Sequence, residues 1–270
     1  MKRFLETRHS TLIGLAGGAL VLVLTAAVSD PHPAGLFNLP GLLTVLGGTL
    51  AATVVSRPAR DVLRVLKSLG GLMRDAPVDM DTEMSQLLEV AHWYRAGHVR
   101  VAEQAVDRVA NPFLRTGARL VVDCEPLDDV TKVLQWRVAA LRTRERGDIQ
   151  ILRTMAMFAP AFGMLGTLFG LVEMLGNLGH TGLSALGTTM SFALITTLYG
   201  IVLANAVLKP LAIKMEQRAR HRILIMNVLL EGIVLLYQRR HPAMIREAMT
   251  AYMRQHQDMP EGSGDLLRVA

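Results

Sequence analysis

Two stretches of this chain set hydroxyls and small residues into long apolar runs, an arrangement that can pass an ion through a membrane. Residues 159–175 read APAFGMLGTLFGLVEML, and residues 189–205 read TMSFALITTLYGIVLAN. On a helix, Gly163 and Thr167 are four apart and Gly163 and Gly170 seven apart, so they share a face; Gly166 and Gly170 form a G-x-x-x-G pair. In the second stretch Ala193, Thr197, Gly200 and Ala204 share a face in the same way. Two readings stay open and are compatible. Small faces let helices approach closely in lipid, and a Thr hydroxyl can bond its own helix carbonyl. Alternatively the small faces admit another helix, and the hydroxyls of Thr167 and Thr197 line a narrow polar path beside it.

A coupled ion path needs a carboxylate that can be charged and neutralised. Residues 154–208 contain one ionisable carboxylate, Glu173, placed near the outer end of its run. It reads either as an interfacial residue or as part of an ion entrance. With no carboxylate nearer the middle, a partner is expected to supply one.

The elements that position these residues follow from composition. Of 270 residues, 51% are hydrophobic and 19% charged, which points to a membrane protein. Four segments suit a bilayer core, about 20 residues of helix each: roughly 10–28, 36–55, 154–178 and 185–208. The first has a basic start and Ala26-Ala27 near its end, as a signal peptide would, but it is long for one and a second span follows at once.

Lys2, Arg3 and Arg8 precede the first span; Arg57, Arg60, Arg64 and Lys67 follow the second; Arg142, Arg144, Arg146 and Arg153 precede the third; Lys209, Lys214, Arg218, Arg220 and Arg222 follow the fourth. The short loops near 30–35 and 179–184 hold neither Lys nor Arg. The positive-inside rule then puts both termini in the cytoplasm, and the net charge of +6 needs no nucleic acid to explain it.

The expected fold is all-α: a polytopic membrane protein with four transmembrane helices and a helical cytoplasmic domain. The expected divisions are 1–56 (tail and first two spans), 57–153 (cytoplasmic helices), 154–210 (the spans that line a path) and 211–270 (a cytoplasmic helix and a disordered end). In the second division Met84, Leu87, Val90, Ala91, Tyr94, Val101, Ala105 and Val109 recur at threes and fours, and Pro77, Pro112 and Pro126 punctuate several helices. Residues 211–255 read as helix with an apolar stripe from Ile223 to Leu236.

Enzyme chemistry is not expected. There is no G-x-x-x-x-G-K-[ST] phosphate loop and no G-x-S-x-G; His92 and His98 do not share a helical face; and Cys124 is the sole cysteine.

The two hydroxyl-bearing stretches resemble the MotA/PomA family of flagellar motor stator subunits, relatives of TolQ and ExbB. The matching runs are Ala159-Pro160-Ala161-Phe162-Gly163-Met164-Leu165-Gly166-Thr167-Leu168 and Ala193-Leu194-Ile195-Thr196-Thr197-Leu198-Tyr199-Gly200, then Ala204-Asn205 and Pro210. Four spans with an inside N-terminus favour the motor branch over the three-span TolQ/ExbB branch.

The resemblance implies a homopentamer around a dimer of a MotB/PomB-like partner with one span, a membrane Asp and a peptidoglycan-binding domain. It implies no cofactor, H+ or Na+ as the transported ion, and a seat in the bacterial inner membrane. Gly163, Thr167, Ala193, Thr197 and Gly200 would line the ion path, with Glu173 as a possible entrance. Pro160 and Pro210 match the family's two coupling prolines, and Thr167 and Thr197 match positions that handle sodium in sodium-type members. Arg95 and Glu103 match its contacts with a FliG-like rotor protein; read from the residues alone, they are a solvated helix face. Two departures from the family are the mostly basic run 142–146 and Glu173 itself. The alternatives are a TolQ/ExbB-like or other envelope energiser, and a membrane scaffold without ion flux.

Overall fold

A computed structural model describes residues 37–72, 80–176 and 183–257. The protein is all-α, and among these residues there is no strand. The helices are α1 (Leu39–Ser56), α2 (Ala59–Leu72), α3 (Met80–Arg95), α4 (Val99–Arg108), α5 (Pro112–Val122), α6 (Leu127–Gly176), α7 (Leu183–Val202), α8 (Lys209–Tyr237) and α9 (Pro242–Gln257), with a π-helical segment, Leu203–Leu208, between α7 and α8. The expected span at 10–28, the loop at 30–35, most of the loop at 179–184, Pro77 and the end beyond residue 257 lie outside the described residues.

Among the described residues, three stretches are long and apolar enough to cross a membrane: α1, the apolar part of α6, and the run that begins at Gly187. Asn38 starts α1 by accepting the Gly41 N–H at 2.9 Å, and Pro40 follows in the first turn, where its missing N–H is no loss. The region before the third expected span contains no helix break. α6 runs unbroken for 50 residues with Pro160 in its interior. Proline lacks an N–H, so the carbonyl of Ala156 loses its usual donor there.

The π segment precedes Pro210. Its register shows in the Lys209 N–H, which donates to the Ala204 carbonyl five residues back. An α-helical Pro210 would crowd the Ala206 carbonyl, and a wider turn relieves that clash.

The chain divides into two compact units, one of residues 1–75 and 147–215, the other of 76–146 and 216–270. In the first, α1 packs on α7 and on the apolar part of α6. Gly48 faces the Phe162 ring so closely that no β-carbon fits there. Gly41, Val45, Thr49 and Thr53 form the buried stripe of α1.

In the second unit a hydrophobic core gathers Leu87, Leu114, Leu134, Leu229, Ile233, Leu236, Ile245 and Met249. Pro112 opens α5 behind an Asn111 cap, and Pro126 immediately precedes α6, so both prolines mark helix starts. The apolar run from Met84 to Val109 belongs to two helices. It turns at Gly97, whose φ of +81° suits a residue without a side chain. Residues 211–255 likewise form two helices. The chain turns at 238–241, with Arg239 at φ +53° and Pro242 opening α9.

Candidate functional site

The small faces of α6 and α7 are spent on each other. The Gly163 backbone lies against the Thr196 carbonyl and the Gly200 Cα, at 2.9 and 3.3 Å from where a Gly163 β-carbon would stand. Gly170 meets Ala193, whose Cβ lies 2.8 Å from the corresponding point. Gly200 rests on the Ala159–Pro160 peptide. Close backbone approach of this kind replaces the hydrophobic drive that helices lack in lipid with dispersion contacts. Of the two readings of the small faces, packing within the chain is thus the one realised in the isolated subunit.

Thr196 occupies the centre of this contact, a position the sequence reading passed over. It is fully buried and fills the space that Gly166 and Gly41 leave open. Its hydroxyl donates to the Ala193 carbonyl of its own helix at 2.8 Å. The buried face that α7 carries into the π segment therefore runs Ala193, Thr196, Gly200, Ala204, with Thr197 half-buried at its edge. On a helical wheel Thr196 and Thr197 flank the same small residues, and the signal that separates them is Gly166 on the opposite helix.

Thr167 and Thr197 are both half-buried. The Thr167 hydroxyl donates to the Met164 carbonyl at 2.6 Å, and the Thr197 hydroxyl donates across the helix pair to the Gly163 carbonyl at 3.4 Å. With each proton committed to a carbonyl, the oxygen lone pairs remain free to accept from a protonated carboxyl or to ligate a hard cation.

Glu173 is exposed, near the end of α6. Pro160 and Pro210 are half-buried, and Pro160 contacts Gly200. Tyr199 accepts the Asn38 N–H at 2.9 Å, which fastens the start of α1 to α7. The same unit carries a charge cluster. Arg64 of α2 donates to Asp61 at 2.7 Å and to Asp148 of α6 at 2.6 Å, and Asp148 is only 8% exposed. The Asp148 hydrogen bond and charge hold the Arg64 guanidinium protonated more firmly than usual.

In the other unit Arg95 ends α3 and Glu103 lies on α4, both exposed, on either side of the Gly97 turn. Among the described residues no group of His, Cys, Asp and Glu is arranged to hold a metal ion.

Sequence and fold comparisons agree with this architecture. The MotA/TolQ/ExbB proton channel family matches residues 105–228. The chain is 30% identical to the uncharacterized protein YtxD of Bacillus subtilis, across 93% of this chain and 92% of that one. It is 28% identical to Motility protein A of Aquifex aeolicus, across 88% and 93%. The fold is similar to that in the structure of C. jejuni MotAB, with a TM-score of 0.82 at 19% identity over 90% of this chain and 94% of that one. Through these sequence relationships the chain belongs to the MotA/TolQ/ExbB proton channel family.

Proposed function

We propose that this chain is the ion-conducting stator subunit of a bacterial flagellar motor. It couples H+ or Na+ flow, in a complex with a MotB/PomB-like partner, to torque on the rotor. The observation that carries the reading is the pair of hydroxyls at Thr167 and Thr197, whose protons are committed to the Met164 and Gly163 carbonyls beside a closely packed pair of membrane helices. The oxygens face a path with no carboxylate of their own near mid-membrane, which suits a partner helix that brings an Asp.

In this reading the first span at 10–28 completes four, both termini lie in the cytoplasm, and the protein sits in the bacterial inner membrane. Five copies surround a partner dimer. Gly163, Ala193 and Gly200 keep the two helices close enough to present Thr167 and Thr197. Pro160, seated against Gly200, and Pro210, beside the π segment, are where helix geometry changes as an ion passes. Glu173 stands at the outer entrance. Arg95 and Glu103 push the FliG-like rotor protein.

The test is a chromosomal deletion in the source cell. It is expected to leave assembled flagella that do not rotate, restored by the wild-type gene and not by Thr197→Val. Normal swimming in a deletion strain with no second stator set would falsify the reading. Swimming speed measured against sodium at constant proton-motive force separates the ions: a rising response identifies Na+ and a flat one H+.

A further inference from the structure

The chain changes direction where the α1 span ends. Arg57 has an extended backbone (φ −142°, ψ 149°) and Pro58 comes next, so α2 does not continue the axis of α1. Residues 54–72 read VVSRPARDVLRVLKSLGGL, with cations at Arg57, Arg60, Arg64 and Lys67 and a single carboxylate, Asp61.

Two sets of contacts fix how α2 is turned about its own axis. Val62 and Val65 are buried, and Arg64 reaches Asp148 of α6 while also holding Asp61. What remains outward is the face formed at i, i+3 and i+7 by Arg60, Leu63 and Lys67. All three are exposed, Leu63 at 55%. A lone exposed leucine needs no explanation, but this one continues an apolar surface that belongs to the span itself. Val54 and Val55, in the last turn of α1, are 43% and 89% exposed. A helix at the end of a span, with apolar and basic side chains on one face, suits the headgroup layer of a bilayer. There leucine dips towards the acyl chains while Lys and Arg extend to the phosphates.

Charge decides which lipid fits. Asp61 is already held by Arg64 at 2.7 Å, so the outward face of α2 offers cations alone. A zwitterionic headgroup brings an ammonium with its phosphate and gains little there. An anionic headgroup brings a phosphate with no such counter-charge. The apolar continuity with the span favours lipid over a soluble protein partner, which would have to cover Leu63 and leave Val55 in hydrocarbon.

We propose that the outward face of α2, with Arg57 at its start, is a binding site for anionic phospholipid headgroups at the Ser56 end of the span. The site is independent of the stator reading. Because Arg64 ties α2 to α6, lipid held by this face is coupled to the helix that carries Pro160 and Thr167.

The test uses the full chain purified in a mild detergent. It is titrated with fluorescent phosphatidylglycerol and, separately, with phosphatidylcholine of the same acyl chains and label, while native mass spectrometry follows the number of subunits. Wild type is expected to bind phosphatidylglycerol at least about tenfold more tightly than phosphatidylcholine. R60Q/K67Q is expected to weaken phosphatidylglycerol binding at least about fivefold and to leave phosphatidylcholine binding unchanged. R60K/K67R keeps the wild-type affinity. So does R246Q/R254Q, which removes the same charge from exposed side chains of the other unit. Equal binding of the two lipids by wild type overturns the proposal, as does an equal loss from R246Q/R254Q, which would show attraction to net charge alone. R60Q/K67Q that keeps its phosphatidylglycerol affinity but loses subunits also overturns it, and makes this face a contact between copies of the chain.

Discussion

Gly200 of α7 lies so close to Ala159 of α6 that a β-carbon on Gly200 would stand 2.6 Å from the Ala159 carbonyl oxygen. That oxygen is backbone and cannot step aside as a side chain could. Gly200→Ala is therefore expected to part the two helices, lowering stability by about 1–3 kcal/mol and reducing swimming. Gly47, with nothing near its β-position, is the control: Gly47→Ala is expected to be neutral or to stabilise α1 by up to about 1 kcal/mol. Thermal unfolding of the purified complex in detergent compares the two.

Neighbouring threonines are expected to separate by function. The Thr196 hydroxyl bonds its own helix, so Thr196→Val keeps the packed shape and most of the activity. Thr197→Val removes the oxygen that stands at the edge of the helix pair and is expected to stop swimming without reducing membrane abundance. Swimming assays paired with immunoblots decide it; equal effects from both would remove Thr197 from the path.

Asp148 is expected to need its arginine. Asp148→Asn weakens the bond that ties α2 to α6, and because Arg64 is 40% exposed the loss is expected to be about 1 kcal/mol. Combined with Arg64→Gln, which also breaks the bond to Asp61, the cost is expected to be less than the sum of the two single changes. A double-mutant cycle of melting temperatures measures the coupling.

Burial holds the His221 imidazole below its ordinary pKa of 6.5. The folded protein therefore takes up this proton later than the unfolded chain. Stability is expected to fall as pH drops below 6.5 and to level off once the folded histidine also charges. Melting temperatures from about pH 8 to about pH 5, for wild type and His221→Asn, isolate this contribution as the difference between the two curves. Parallel curves would show that His221 contributes no slope.

The sequence by itself determined the helical class, the membrane character and the stretches that carry small and hydroxyl residues, because hydropathy and helical spacing are local properties of the chain. It also read Pro112 and Pro126 as punctuation between helices, and the structure puts both at helix starts, where a missing N–H is harmless. The tertiary structure decided how those residues are used. Thr196 and Thr197 flank the same small residues on a helical wheel, and Gly166 on the facing helix makes one the packed centre and the other the edge. The breaks at Gly97 and at 238–241 interrupt apolar patterns that continue on both sides, so periodicity could not reveal them. Arg64 and Asp148 are 84 residues apart, as Tyr94 and Arg239 are far apart, and contacts at such separations leave no periodic trace. Local pattern fixes which surfaces are apolar, small or charged; which surface meets which is settled by close packing among all of them at once.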